Sequence, residues 1–179
     1  MSEPTRESTA VRALLADAFD RVAQQVATLT DGLSEDAVTW RPDPGSNSIA
    51  WLLWHLTRVQ DDHISDLAQR PQVWISQGFQ ERLALPFDAE ATGYGQSSEE
   101  VAQVRVSAAD LAAYHAAVDE ETSRYLHGLT LEELDRVVDT RWDPPVTAAV
   151  RLVSVVNDCM EHVGQAAYVK GMAQRRQSD

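Results

Sequence analysis

Two residues near the end of the chain, Asp158 and His162, have the types and the spacing of metal ligands. They lie in the stretch RLVSVVNDCMEHVGQAAYVKG, whose apolar pattern predicts one amphipathic helix from Arg151 to Gly171. Side chains four residues apart project from the same face of a helix, about one turn from each other. A carboxylate and an imidazole in this arrangement can bind one divalent metal ion if a third ligand comes from another element.

The best candidate for the third ligand is His55, in the predicted helical segment SIAWLLWHLTRVQDDH. The same helix offers no obvious second ligand, because Val59 occupies the position one turn later. Asp62 and His63 lie roughly 10–12 Å further along the axis at ~1.5 Å per residue, whereas a zinc ligand lies within about 2.3 Å of its ion. The pattern therefore favours one ligand from this helix and two from the last helix.

Each candidate ligand also has an interpretation that needs no metal. Asp158 is predicted at the edge of the buried stripe of its helix, where a carboxylate requires a partner. Arg151, two turns earlier on the same side, or an arginine from another helix could provide that partner. A histidine such as His55, in an apolar run, is often a hydrogen-bonded core residue. Spacing alone leaves these alternatives open.

The other reactive side chains fit no catalytic pattern. His115 and His127, on the third long helix, are predicted to be surface or cap residues. Cys159 is about 100° round the helix from Asp158 and is predicted to point into the core, where thiols are usually unreactive. The chain contains no phosphate-binding loop, dinucleotide-binding motif or pair of CxxC motifs.

Four long segments with helical periodicity must position the candidate ligands. They are predicted to run from Ser8 or Thr9 to about Leu29, from a cap at Ser46, Asn47 or Ser48 to about Gln69, from the cap Ser107 to about His127, and from the cap Thr147 to near Gly171. Residues 1–7 are predicted to be frayed, and residues 73–99 to form a long loop with at most a short helical piece over 77–83. With no series of strands, the predicted fold class is all-α, a four-helix bundle with long crossover loops. We expect a single domain over residues 1–179, with an ordered core from about 8 to 175.

The amino-acid composition disfavours several classes of binding partner. The 179 residues carry a net charge of -13, which disfavours binding to nucleic acid or to an anionic membrane surface. The single cysteine excludes an internal disulfide framework and an all-thiolate zinc site. The N-terminal residues lack the apolar core of a signal peptide, and the longest apolar run is too short to span a bilayer. We therefore expect a cytoplasmic protein that acts on a small molecule.

The chain resembles the DinB-like superfamily, which includes the mycothiol-dependent maleylpyruvate isomerases and related thiol transferases. The resemblance rests on WRPDPGSNSIAWLLWHLTRVQDDH, on RLVSVVNDCMEHVGQAAYVKG and on the order of four long helices, so it covers nearly the whole chain. It implies a four-helix bundle, commonly a homodimer, with a divalent metal held by one ligand from the second helix and two from the last. These positions fall on His55, Asp158 and His162.

The resemblance also implies an ion and a reaction. Many members have histidine at the first ligand of the last helix and the maleylpyruvate isomerase branch has glutamate, whereas this chain has Asp158, one methylene shorter. Zinc is the expected ion, with nickel as the alternative. Such a centre would activate a low-molecular-weight thiol toward a small electrophilic molecule, and Arg151 could bind an anionic substrate. The alternatives are a non-catalytic metal- or small-molecule-binding stress-response protein and a metal-dependent hydrolase.

Overall fold

The computed structural model describes residues 6–176. Four long helices form its frame: α1 (Arg6–Thr30), α3 (Ile49–Ala68), α7 (Ala108–Gly128) and α9 (Ala148–Arg176). The connections hold five short helices: α2 (Glu35–Thr39), α4 (Val73–Ser76), α5 (Phe79–Leu83), α6 (Ser98–Val101) and α8 (Leu131–Asp135). Strands β1 (Val137–Asp139) and β2 (Val146–Thr147) pair in an antiparallel sheet just before α9. The predicted all-α fold, a four-helix bundle with long crossovers, is confirmed.

Side-chain caps begin three of the long helices where the sequence predicts them, and the cap of α9 is Thr147, whose hydroxyl accepts a hydrogen bond from the backbone N–H of Val150 at 3.4 Å. The Ser48 hydroxyl accepts a hydrogen bond from the backbone N–H of Trp51 at 3.1 Å, and Ser107 accepts one from Asp110 at 3.1 Å. Each cap satisfies one of the backbone N–H groups that the first turn of a helix leaves unpaired. These caps fix the starts of α3, which carries His55, of α7 and of α9.

The start of α1 and the C-terminal end of α9 differ from the prediction. Residues 6 and 7 are already helical in α1, so their predicted fraying is wrong, and the predicted caps Ser8 and Thr9 lie inside the helix. The predicted fraying of residues 1–5 lies outside the described residues. Helix α9 continues past Gly171 to Arg176. The continuation has a packing reason, because Ala173 is buried against the bundle and stabilises one more turn.

Helix α3 is the central element of the core. It packs against α7 and α9, while α1 packs against α7 and α9 on the other side. Every residue from Ile49 to Leu56 is buried, because the crossover between α3 and α7 covers the side of α3 that the other helices leave open. As a result only 6% of the surface of His55 is exposed. No helix within residues 6–176 has the length and apolarity needed to cross a membrane.

The crossover from residue 73 to 99 is anchored by a buried carboxylate. Asp61 of α3 accepts hydrogen bonds from the backbone N–H groups of Val73 and Trp74, both at 2.8 Å, and from the Tyr114 hydroxyl at 2.8 Å. These bonds fix the start of the crossover to both α3 and α7. The predicted short helical piece is present as α5, and α4 and α6 add a turn at each end.

His115 is buried, so its predicted surface position is wrong. Only 2% of the residue is exposed, and its Nε2 has no hydrogen-bond partner within residues 6–176. Helix α1 packs against α7 and covers it, because the adjacent Tyr114 and the following Val118 draw this side of α7 into the core. Burial lowers the pKa of His115 from 6.5 to about 4. His127 is exposed in the last turn of α7, as predicted.

The buried His115 predicts acid sensitivity. The unfolded chain takes up a proton at the ordinary pKa of 6.5, whereas the folded chain does so only near about 4. The unfolded state therefore binds more protons between these values, and the contribution of His115 to the free energy of unfolding falls as the pH falls through this window. This difference in pKa can lower the free energy of unfolding by at most about 3 kcal/mol.

Urea unfolding at pH 7 and pH 4.5 measures this effect. We expect His115→Leu to lose less stability than the wild type between the two values, and the exposed His127→Leu to behave as the wild type does. An equal loss in the wild type and in His115→Leu would contradict this interpretation.

Candidate metal centre

The structure brings the three predicted ligands together. His55 of α3 and Asp158 and His162 of α9 each offer one ligand atom, and these atoms all lie within 4.8 Å of one another. Nε2 of His162 lies 3.7 Å from Oδ1 of Asp158. The two imidazole rings lie 4.8 Å apart at an angle of 77°. Within residues 6–176 this is the one such group close enough to share an ion.

A loop carbonyl fixes the tautomer of His55. Its Nδ1 lies 2.6 Å from the backbone oxygen of Thr92. A carbonyl oxygen can only accept, so Nδ1 carries the hydrogen and the neutral ring presents an unprotonated Nε2. The indole of Trp51 stacks on the imidazole at 4.6 Å and 13°, which fixes the plane of the ring. Burial lowers the pKa of His55, which favours the neutral form that metal binding requires.

His162 is oriented in the same way from within its own helix. Its Nδ1 lies 3.0 Å from Oε1 of Gln165, one turn later on α9. With Nδ1 donating to that amide oxygen, Nε2 of the neutral ring faces Asp158 as an acceptor. A hydrogen bond from the second ring nitrogen to a carbonyl or amide oxygen is the usual support of a metal-binding histidine.

The geometry of the three side chains favours a positive charge between them. The side chain of Asp158 is 34% exposed. Its Oδ2 is nevertheless buried and has no hydrogen-bond partner among the described residues. Two imidazole lone pairs and a carboxylate then face one another, which is repulsive unless a cation lies between them. A proton on His162 or a divalent ion could supply that charge. The unpartnered Oδ2 favours the ion, and the three residues fit one.

The donor set indicates which ions the site would accept. Two imidazole nitrogens and one carboxylate oxygen suit zinc, and nickel is also compatible with imidazole-rich sites. Three protein ligands leave a coordination position open, which is the arrangement of catalytic rather than structural zinc sites.

Arg151 forms its ion pair with a different carboxylate from the one that the sequence suggests. Its Nη2 lies 3.2 Å from Oδ2 of Asp139 in β1, and its Nη1 lies 3.4 Å from Nε2 of His63. Hydrogen bonds from Arg141 hold the pKa of Asp139 well below its usual range, so this carboxylate is ionised and pairs with Arg151. The structure therefore pairs Arg151 with Asp139 instead of Asp158, and a role for Arg151 in substrate binding stays a prediction.

Cys159, the one cysteine of the chain, is not a reactive thiol. Cys159 is fully buried, and its Sγ lies 3.7 Å from the carbonyl oxygen of Leu56 in the core. Burial raises the pKa of this thiol far above neutrality. Any thiol that reacts at this centre must therefore come from outside the chain.

Two cavities are lined in part by residues that contact the ligands or their neighbours, although none of the three ligands lines either cavity. One of about 780 Å³ lies between α9 and residues 42–47, and Gln165, which contacts His162, forms part of its wall. The other, of about 470 Å³, lies within the crossover and is lined by Thr92, Gly93 and Gln96 among others. Thr92 and Gly93 contact His55, and Gln96 accepts a hydrogen bond from Trp51 at 2.7 Å. Both cavities therefore border residues that support the ligands.

Sequence reasoning missed Thr92, Gly93 and Gln165. Gln165 follows His162 by three residues on one helix face, so helical spacing alone could have indicated it. Thr92 and Gly93 lie in an irregular segment and reach His55 only through the tertiary fold. Sequence patterns carry no signal for such a contact.

Comparisons with known proteins agree with this fold. A family model for mycothiol S-transferases matches residues 14–174. The crystal structure of a conserved protein from Enterococcus faecalis is similar to this chain with 34% sequence identity and a TM-score of 0.84, covering 89% of this chain and 95% of that one. The comparison with curated proteins gives no match. Because the family model covers nearly the whole four-helix bundle, including all three candidate ligands, the chain belongs to the mycothiol S-transferase family.

Proposed function

We propose that this protein is a metal-dependent thiol transferase that joins a low-molecular-weight thiol to a small electrophilic molecule. The observation that carries the proposal is the convergence of His55, Asp158 and His162 with an unpartnered carboxylate oxygen, in a chain of the mycothiol S-transferase family. We propose zinc as the ion, with nickel as the alternative. The thiol of the family name is the first co-substrate to test.

The residues of the centre suit this chemistry. A divalent ion bound there supplies a Lewis acid that brings the pKa of a thiol close to neutrality. Thr92 and Gln165 hold the two imidazoles in the tautomer that presents Nε2, so little reorganisation is needed on binding. Trp51 covers one face of His55 and keeps water from it.

The proposed reaction requires no oxidant or reductant. The thiol releases its proton, and its sulfur forms a bond to the electrophilic carbon of the second substrate. The electron pair displaced from that carbon leaves with the departing group, or takes up a proton where the substrate is an unsaturated compound. Because Cys159 is buried, the chain offers no competing thiol of its own.

Turnover should require both the metal and the thiol. We expect chelator-treated protein to be inactive with a chromogenic electrophile and mycothiol, and addition of one equivalent of zinc to restore the rate. Omitting the thiol should reduce turnover to the background rate. Full turnover without a thiol would indicate a hydrolase instead, and saturable binding of the electrophile without turnover would indicate a binding protein.

A further inference from the structure

Arg58 is a fully buried arginine on α3, three residues after His55. Its Nε donates to the carbonyl oxygen of Ala91 at 3.0 Å, and its Nη2 donates to that of Ala89 at 3.1 Å. Its Nη1 donates to the side-chain oxygen of Gln72 at 2.8 Å. A guanidinium in the protein interior is costly unless its N–H groups are bound, so these contacts define one position for the loop.

The loop residue after Ala91 is Thr92, and its carbonyl accepts the hydrogen bond from His55. Residues 89–93 form no regular structure and are mostly half-buried, so side-chain donors can bind their carbonyls. Arg58 supplies donors to Ala89 and Ala91, and the next carbonyl, that of Thr92, accepts from His55. Two side chains one turn apart on α3 therefore bind neighbouring carbonyls of the same loop.

Close packing leaves this segment little freedom to adjust. Gly93 has a φ of +98°, and a Cβ atom there would lie 2.9 Å from Nδ1 of His55. The guanidinium itself lies 5.0 Å from the centre of the Trp74 ring and 3.7 Å from a carboxylate oxygen of Asp61. Movement of the Ala91 carbonyl would thus also move the Thr92 carbonyl away from His55.

We propose that Arg58 is a positioning residue for the metal ligand His55, acting through the carbonyl of Thr92. This inference rests on the metal centre of the proposed function. Arg58 holds residues 89–91 so that the next carbonyl accepts from Nδ1 and keeps Nε2 free to bind. Lysine cannot replace it, because an ammonium group lacks the planar arrangement of donors that spans two carbonyls and an amide.

The test compares Arg58→Lys with Arg136→Lys in the full chain. Arg136 is a suitable control because its Nη2 also donates to a backbone carbonyl, that of Leu67 at 2.9 Å, with no contact to His55. Zinc affinity is measured by competition with a chelator. We expect Arg58→Lys to bind zinc about 10–100-fold more weakly, as outer-shell changes typically do, and Arg136→Lys to bind as the wild type does.

Nitrogen NMR of the metal-free protein provides a readout that is independent of zinc. We expect the wild type to hold His55 in the Nδ1–H tautomer and Arg58→Lys to show a mixture of tautomers. A wild type that binds no zinc would overturn the proposed metal centre, while the tautomer measurement would still test the link from Arg58 to His55. A folded Arg58→Lys variant with wild-type zinc affinity and tautomer would overturn the inference.

If Arg58→Lys does not fold, a second variant, Gln72→Ala, tests the same inference. Gln72 is only partly buried, and its side-chain oxygen accepts a hydrogen bond from the guanidinium of Arg58. Gln72→Ala should weaken zinc binding in the same direction by a smaller factor. A folded Gln72→Ala protein with unchanged zinc affinity and an unchanged His55 tautomer would contradict the inference.

Discussion

Replacing His162 with alanine should abolish zinc binding and thiol transfer together. The substitution leaves His55 and Asp158 as the only protein ligands, and two ligands do not hold a catalytic zinc ion. The loss of affinity should exceed the roughly 100-fold caused by outer-shell changes, and kcat/KM should fall to the background rate. Elemental analysis of dialysed protein and a thiol-dependent assay measure the two effects.

His127→Ala is the matched control for that variant, because His127 is an exposed histidine at the far end of α7. It should keep both the metal and the activity. Unchanged metal loading in His162→Ala would remove His162 from the centre, and would support the interpretation of Asp158 and His162 as an ordinary ion pair.

Replacing Gly93 with alanine should have the largest effect on stability. The added Cβ would meet Nδ1 of His55 at 2.9 Å, the Trp54 ring at 3.0 Å and the Trp51 ring at 3.2 Å, and the φ of +98° already disfavours alanine. None of these three buried rings can yield easily, since each packs in the core on α3. We expect a loss of about 2–4 kcal/mol, from backbone strain and overpacking combined.

Gly95→Ala separates those two contributions. Gly95 also has a positive φ of +73°, but a Cβ there meets no atom within 4 Å. We expect this control to lose only about 1 kcal/mol, the cost of the backbone conformation. Urea unfolding of both variants, with zinc affinity measured alongside, gives the comparison. Equal losses of stability would show that the close approach of Gly93 to His55 has no energetic role.

Helical periodicity was sufficient to predict the frame of this protein. The four long helices, the caps Ser48 and Ser107 and the four-residue spacing of Asp158 and His162 are local patterns, and each is present as predicted. The pairing of His55 with the last helix is not local. The ligand types and spacing made His55 the best candidate, the resemblance to a family with one ligand on the second helix strengthened it, and the packing of α3 against α9 accounts for it physically.

The residues that orient the metal ligands could not be predicted from the sequence, because their positions depend on contacts between distant segments. Thr92 reaches His55 through a loop that Arg58 holds in place, and no period relates these residues. His115 is buried because α1 crosses that face of α7, which the polar character of histidine does not indicate. Arg151 likewise pairs with Asp139, a residue of the small β-sheet, and the prediction contained no sheet there.

Cobalt substitution tests the central claim most directly. Co²⁺ is compatible with imidazole and carboxylate ligands, and its visible absorption depends on its coordination. Titration of the metal-free protein should give visible bands that saturate at about one equivalent, and a low-molecular-weight thiol should then add a sulfur-to-cobalt charge-transfer band. That result would establish an ion at His55, Asp158 and His162 with a position open to the thiol, provided that His162→Ala shows neither change. A spectrum that remains that of hydrated Co²⁺ throughout the titration would contradict the account.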